Sequence, residues 1–86
     1  MKGQYYELYP NPTNGIVRLK QSIVDNAPVQ AEIWNSTGAR IFNEELHFGE
    51  GTVQLNIVNA SQGMYMLKLI DSEGRRFILK FVINDK

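Results

Sequence analysis

The stretch Gly63-Met64-Tyr65-Met66-Leu67-Lys68-Leu69-Ile70-Asp71-Ser72-Glu73-Gly74-Arg75-Arg76-Phe77-Ile78-Leu79-Lys80-Phe81-Val82-Ile83 decides the fold. Tyr65, Leu67 and Leu69 recur at every second position, as do Phe77, Leu79, Phe81 and Ile83. A period of two places such residues on one face of an extended strand, whereas a helix needs spacings of three and four. Between the two runs stands the turn sequence Asp71-Ser72-Glu73-Gly74, so the segment predicts two strands, 64–70 and 76–83. Ser61 would suit the N-cap of a competing helix over 61–68. Gly63 in its first turn and the alternation that follows argue against that helix.

The same pattern continues upstream. Thr52 to Ile57 places Val53, Leu55 and Ile57 inward, and Arg40 to Leu46 is a strand with weaker alternation. Val29, Ala31 and Ile33 alternate with Gln30, Glu32 and Trp34, and in Ile16 to Lys20 Val17 and Leu19 alternate with Arg18 and Lys20. Tyr5, Tyr6, Leu8 and Tyr9 give the first strand. Gly49-Glu50-Gly51, Asn35-Ser36-Thr37-Gly38, the loop 22–28 and the connection 58–63 separate these runs. Pro10-Asn11-Pro12-Thr13-Asn14-Gly15 is a stiff turn, because each proline fixes its own φ and extends the residue before it, and Asn14-Gly15 tolerates positive φ. About seven short strands at this spacing predict an all-β, two-sheet antiparallel β-sandwich.

With 86 residues there is room for one domain, assigned to residues 5–86, with residues 1–4 as linker. Hydrophobic residues at 43% and charged residues at 21% exclude a disordered tail. No cysteine is present, which removes disulfides and cysteine-based zinc sites. Nine Lys and Arg balance nine Asp and Glu, so no long-range attraction to nucleic acid or an anionic membrane is expected. No apolar run reaches the roughly 20 residues of a membrane-spanning helix, so direct membrane insertion is not expected. Met1-Lys2-Gly3-Gln4 leads into no apolar signal segment, which leaves a cytosolic protein or a piece of a longer chain.

Catalytic chemistry finds little support. His47 is the single histidine, and no serine stands on a strand-to-helix elbow that would make it a nucleophile, so no enzyme is expected. One histidine is a poor start for a transition-metal site, and Asp25-Asn26 and Asp71-Ser72-Glu73 match no calcium-loop spacing. The glycines form no phosphate loop, and Arg75-Arg76 reads as a solvated turn. No cofactor is expected. Asn35-Ser36-Thr37 and Asn59-Ala60-Ser61 fit the glycosylation tripeptide, which turn-rich chains match by chance. Trp34, facing outward, with Tyr5, Tyr6 and Tyr9, raises a carbohydrate-binding or adhesive sandwich module as the alternative function. The last strand is apolar on both faces: Phe77, Leu79, Phe81 and Ile83 on one, Ile78 and Val82 on the other, interrupted by Lys80. Met64, Met66 and Ile70 add to the second face, and in a two-layer fold such a surface suggests a partner.

Tyr9-Pro10-Asn11-Pro12-Thr13-Asn14-Gly15, the Asn35-Ser36-Thr37-Gly38 turn, Gly63-Met64-Tyr65 and the terminal Lys80-Phe81-Val82-Ile83 resemble, in order and spacing, the type A C-terminal sorting domain of type IX secretion substrates of Bacteroidetes. Ala60 departs from the leucine usual three residues before the Gly-x-Tyr glycine. The resemblance implies an immunoglobulin-like sandwich that ends a larger cargo protein. That precursor would be exported through the periplasm and then displayed on the cell surface or secreted. The implied partners are the N-terminal cargo in the same chain, the outer-membrane translocon and a sortase-like protease that removes the domain. Lys80, Phe81, Val82, Ile83 and Ile78 are the expected recognition residues, with strand pairing or an apolar patch as the contact, and a homodimer through the same strand is an alternative way to cover it. Pro10, Asn11, Pro12, Gly15, Gly38, Gly63 and Tyr65 are expected to set the fold, with the Tyr65 ring buried and its hydroxyl hydrogen-bonded.

Overall fold

Alternation becomes strand in each run named above. The computed structural model describes residues 3–57 and 60–84, so Met1, Lys2, Val58, Asn59, Asp85 and Lys86, and with them part of the 58–63 connection and the Asn59 tripeptide, lie outside the described residues. The elements are β1 (Tyr6–Tyr9), β2 (Ile16–Gln21), β3 (Val29–Asn35), β4 (Arg40–Leu46), β5 (Thr52–Asn56), β6 (Gly63–Ile70) and β7 (Arg76–Ile83). Residues 63–68 are strand, not the competing helix. All strand pairs are antiparallel, in a three-stranded sheet of order β1-β2-β5 and a four-stranded sheet of order β4-β3-β6-β7.

The two sheets close over one interior. Val17, Leu19 and Leu55 from the first meet Ala31, Ile33, Leu67, Leu69 and Phe81 from the second, all buried. Each large apolar side chain removed from water stabilises the fold by about 1.5–3 kcal/mol. Phe48, in the loop after β4, closes one end, its ring 5.5 Å from Tyr6, which meets Phe77 edge-on at 4.9 Å. Burial pushes the Tyr6 phenol above its ordinary pKa. Gln4 holds the entry to β1 by accepting the Ile23 N–H at 3.0 Å and donating to the Ile23 carbonyl at 2.8 Å.

Two hairpin turns share one device. The Asn35 Oδ1 accepts the N–H groups of Thr37 and Ala39, and Gly38 supplies the left-handed φ of 90° that reverses the chain. Asp71 repeats it between β6 and β7, accepting from the N–H groups of Glu73 and Arg75. A register shift at Ile33/Trp34 marks a bulge where β3 leaves β4.

Candidate functional site

Pairing between β6 and β7 sets Met64 opposite Val82, Met66 opposite Lys80 and Lys68 opposite Ile78. Leu67, Leu69, Phe81 and Ile83 point into the core, so the intervening residues form the outer face of the four-stranded sheet. Ile78 is 54% exposed and Met64 58%, and Met66 and Val82 lie open beside them. Across β3, Trp34 stands opposite Met66, and Trp34, Met64, Tyr65, Met66 and Lys80 line an open groove of about 420 Å³.

The recognition residues expected from sequence therefore separate. Ile78, Lys80 and Val82 share the exposed face, while Phe81 and Ile83 lie in the core at 1% and 2% exposure, which corrects their assignment to a contact surface. A strand shows alternate residues to opposite sides, so Lys80-Phe81-Val82-Ile83 cannot present four neighbours to one partner.

The turn after β1 makes the second half of the site. The Tyr9-Pro10 and Asn11-Pro12 peptide bonds are cis, and the chain then runs beside the end of β7. The Asn11 Oδ1 accepts the Val82 N–H at 3.0 Å. The Thr13 N–H donates to the Val82 carbonyl at 2.9 Å, and the Thr13 carbonyl accepts the Asn84 N–H at 2.7 Å. Buried Thr13 also braces the turn itself, its Oγ1 accepting the Gly15 N–H at 3.1 Å and donating to the Ile16 carbonyl at 2.7 Å. Gly15, at φ 119°, passes so close to the chain just after β5 that an added Cβ would stand 3.3 Å from the Ile57 carbonyl oxygen. The segment 10–15 is thus a strap that ties the three-stranded sheet to the last strand of the other. The sequence reading gave Asn11 a role in setting the fold and missed Thr13. Its only local signal was a short hydroxyl residue two positions before the turn glycine.

Tyr65 completes the support beneath the face. Its ring stacks on Phe81 at 5.7 Å and 23°, and its hydroxyl donates to the Ser61 carbonyl. Gly63 opens β6, and half-buried Ala60 packs against the core where the resemblance would have a leucine.

The other candidates are dispersed or engaged. The exposed His47 imidazole lies 3.8 Å from the Glu45 carboxylate beside an open cleft between β4 and β5. Partial burial works to raise the Asp71 carboxyl pKa, but hydrogen bonds from the Arg75 and Glu73 N–H groups and the Arg75 guanidinium, 2.7 Å away, hold it below the usual range. Among the described residues, no three His, Cys, Asp or Glu side chains gather as metal ligands. Trp34 does face outward, its Nε1–H donating to Glu32 at 3.2 Å. Tyr9 is on the other sheet, Tyr5 borders Glu7 and Lys20 of that sheet, and Tyr6 and Tyr65 are buried, so the aromatics form no common platform.

No curated protein matches the chain significantly. Among solved structures, the crystal structure of a DUF3244 family protein with an immunoglobulin-like β-sandwich fold from Bacteroides vulgatus superposes with a TM-score of 0.70. The two are 13% identical over 87% of this chain and 79% of that one, a likeness that establishes the immunoglobulin-like sandwich and nothing more. The model of the secretion system C-terminal sorting domain matches residues 7–84, from β1 through the strap to the end of β7. With a match over nearly its whole described length, this chain belongs to the family of C-terminal sorting domains of type IX secretion.

Proposed function

We propose that this chain is the export address of a larger cargo protein, read in its folded form at the outer membrane through the outer face of β6 and β7. The observation that carries the reading is the open row Ile78, Lys80 and Val82, with Met64 and Met66 beside it, on a member of a sorting family. Folding itself creates this row: Phe81 and Ile83 must turn inward before Ile78, Lys80 and Val82 all face outward. A translocon that binds the row admits a folded domain and rejects an unfolded one, in which the alternation has no fixed sides. Exposed apolar side chains set in a rigid sheet bind at low entropic cost, because little has to be ordered on contact.

In this scheme the cargo precedes the domain in the same polypeptide and crosses the periplasm. A sortase-like protease then removes the address as the cargo is anchored at the surface or released. The family's role is sorting, and the outer face of β6 and β7 offers a partner apolar side chains and cations to contact.

The test is a fluorescent cargo carrying its own signal peptide, with or without this chain at its C-terminus, expressed in a bacterium that has type IX secretion. Fluorescence outside the cell only with the chain attached, and lost when the translocon is deleted, is the expected result. Equal release with and without the chain would refute the proposal.

A further inference from the structure

The edge of β7 differs from its face. Successive residues of a strand direct their N–H and C=O groups alternately to its two sides, in step with their side chains. Because the Val82 N–H and carbonyl point outward to Asn11 and Thr13, those of Ile78 and Lys80 point outward too. Yet β7 is the last strand of its sheet, and among the described residues no donor or acceptor meets the outward backbone groups of Ile78 and Lys80. The strap therefore closes the end of this edge and leaves the stretch before it open. An open row of backbone donors and acceptors is completed by one kind of ligand, an extended chain.

Charge selects among extended chains. Along β6 and β7 the outward side chains are Met64, Met66, Lys68 and Ile70, and Arg76, Ile78, Lys80 and Val82, three cations among apolar residues with no carboxylate. Glu32, opposite Lys68 on β3, is engaged by Arg40 at 3.3 Å and by the Trp34 Nε1–H. Among the described residues Lys68, Arg76 and Lys80 pair with no carboxylate. The chain as a whole is neutral, so this basic strip is local. A second copy pairing its own β7 here would bring Arg76 and Lys80 against the same cations, and like charges across adjacent strands oppose pairing.

We infer that the open edge of β7 receives, by strand addition, an extended segment of a partner protein whose side chains alternate carboxylate and apolar groups, the carboxylates meeting Lys80 and Arg76. The inference rests on the sorting reading for its setting and adds the kind of partner segment and the way it binds. It also explains the division of labour along β7, where the strap fixes the register at Val82 and the added strand occupies Ile78 and Lys80.

The experiment uses the isotope-labelled chain and a synthetic peptide alternating glutamate and valine, with a lysine-for-glutamate version as control, read by amide hydrogen exchange. The expected result is slowed exchange at the Ile78 and Lys80 amides with the glutamate peptide, weakening by about tenfold or more between 50 and 300 mM salt. Lys80→Glu, at an exposed site that tolerates change, should weaken the glutamate peptide by about fivefold and improve the lysine peptide. Equal binding of both peptides, or unchanged exchange at the two amides, would overturn the inference. So would protection of those amides by self-association without peptide, or vesicles rich in phosphatidylglycerol binding the face while both amides stay unprotected. If peptide binding fails while reporter export still requires this chain, the edge inference falls and the sorting reading stands. Binding without chain-dependent export would sink the sorting reading alone.

Discussion

Thr13→Val is the sharpest probe of the strap, because it keeps the shape of a buried side chain and removes only its hydroxyl. Thr13 is 3% exposed, and its Oγ1 makes two hydrogen bonds, accepting from Gly15 and donating to the Ile16 carbonyl. Valine leaves the Gly15 N–H inside the fold without a partner, at a cost of about 1–3 kcal/mol. The Ile16 carbonyl belongs to an exposed residue and can turn to water, so its loss adds less. The sum is about 2–3 kcal/mol. In a domain of this size each kcal/mol moves the melting temperature by about 4–8 °C, so Thr13→Val should lower it by about 10–20 °C. Thr13→Ser is the control: it keeps the hydroxyl and gives up one methyl group, about 0.8 kcal/mol. Thermal melts followed by circular dichroism, with urea titrations to check an unchanged m-value, give both numbers. A valine variant that melts at or above the serine variant would refute the assignment of Thr13 as the brace of the strap.

Other consequences follow from the same structure. Phe81→Ala should cost about 3–5 kcal/mol by opening a cavity under Tyr65, enough to leave much of so small a domain unfolded at 37 °C, whereas Lys80→Ala should stay within about 0.5 kcal/mol in urea titrations. Gly15→Ala forces a side chain into a left-handed φ of 119° and against the Ile57 carbonyl, and should destabilise by about 1–3 kcal/mol in the same assay. Asp71 has a folded pKa below its unfolded one, so it contributes stability above the unfolded value, near 4, and that contribution fades as pH falls through the folded value. Asp71→Asn should therefore be less stable than the parent at pH 7 and lose less on acidification from pH 7 to about 2.5, measured by urea unfolding at both pH values.

Much of the fold was legible because it rests on local periodicity. Arg40 to Leu46 and Arg76 to Ile83 were bounded to the residue, and the hairpin at Asp71 followed from its turn chemistry. Trp34 faces outward as the alternation of β3 requires. The first strand starts at Tyr6, one residue later than expected, because the Tyr5 N–H is taken by the Ser22 hydroxyl and not by a neighbouring strand. What escaped the sequence depends on contacts between distant positions. Phe48 lies in a loop without alternation, so nothing local reveals that it caps the core. The strap joins residues 11 and 13 to residue 82, a separation that no local pattern encodes. In β7 both faces are apolar, and consecutive residues were expected to share one surface. The strand geometry divides them, giving Ile78, Lys80 and Val82 to the outside and Phe81 and Ile83 to the core.

The most direct test of the recognition face is the secreted fraction of a fluorescent cargo fused to the chain carrying Ile78→Asp or, separately, Val82→Asp. Both side chains point outward, so each variant should keep its fold and melt within about 5 °C of the parent. A carboxylate placed at the centre of an apolar contact should still reduce export by about tenfold or more. Folded variants whose cargo leaves the cell as efficiently as the parent's would contradict the account.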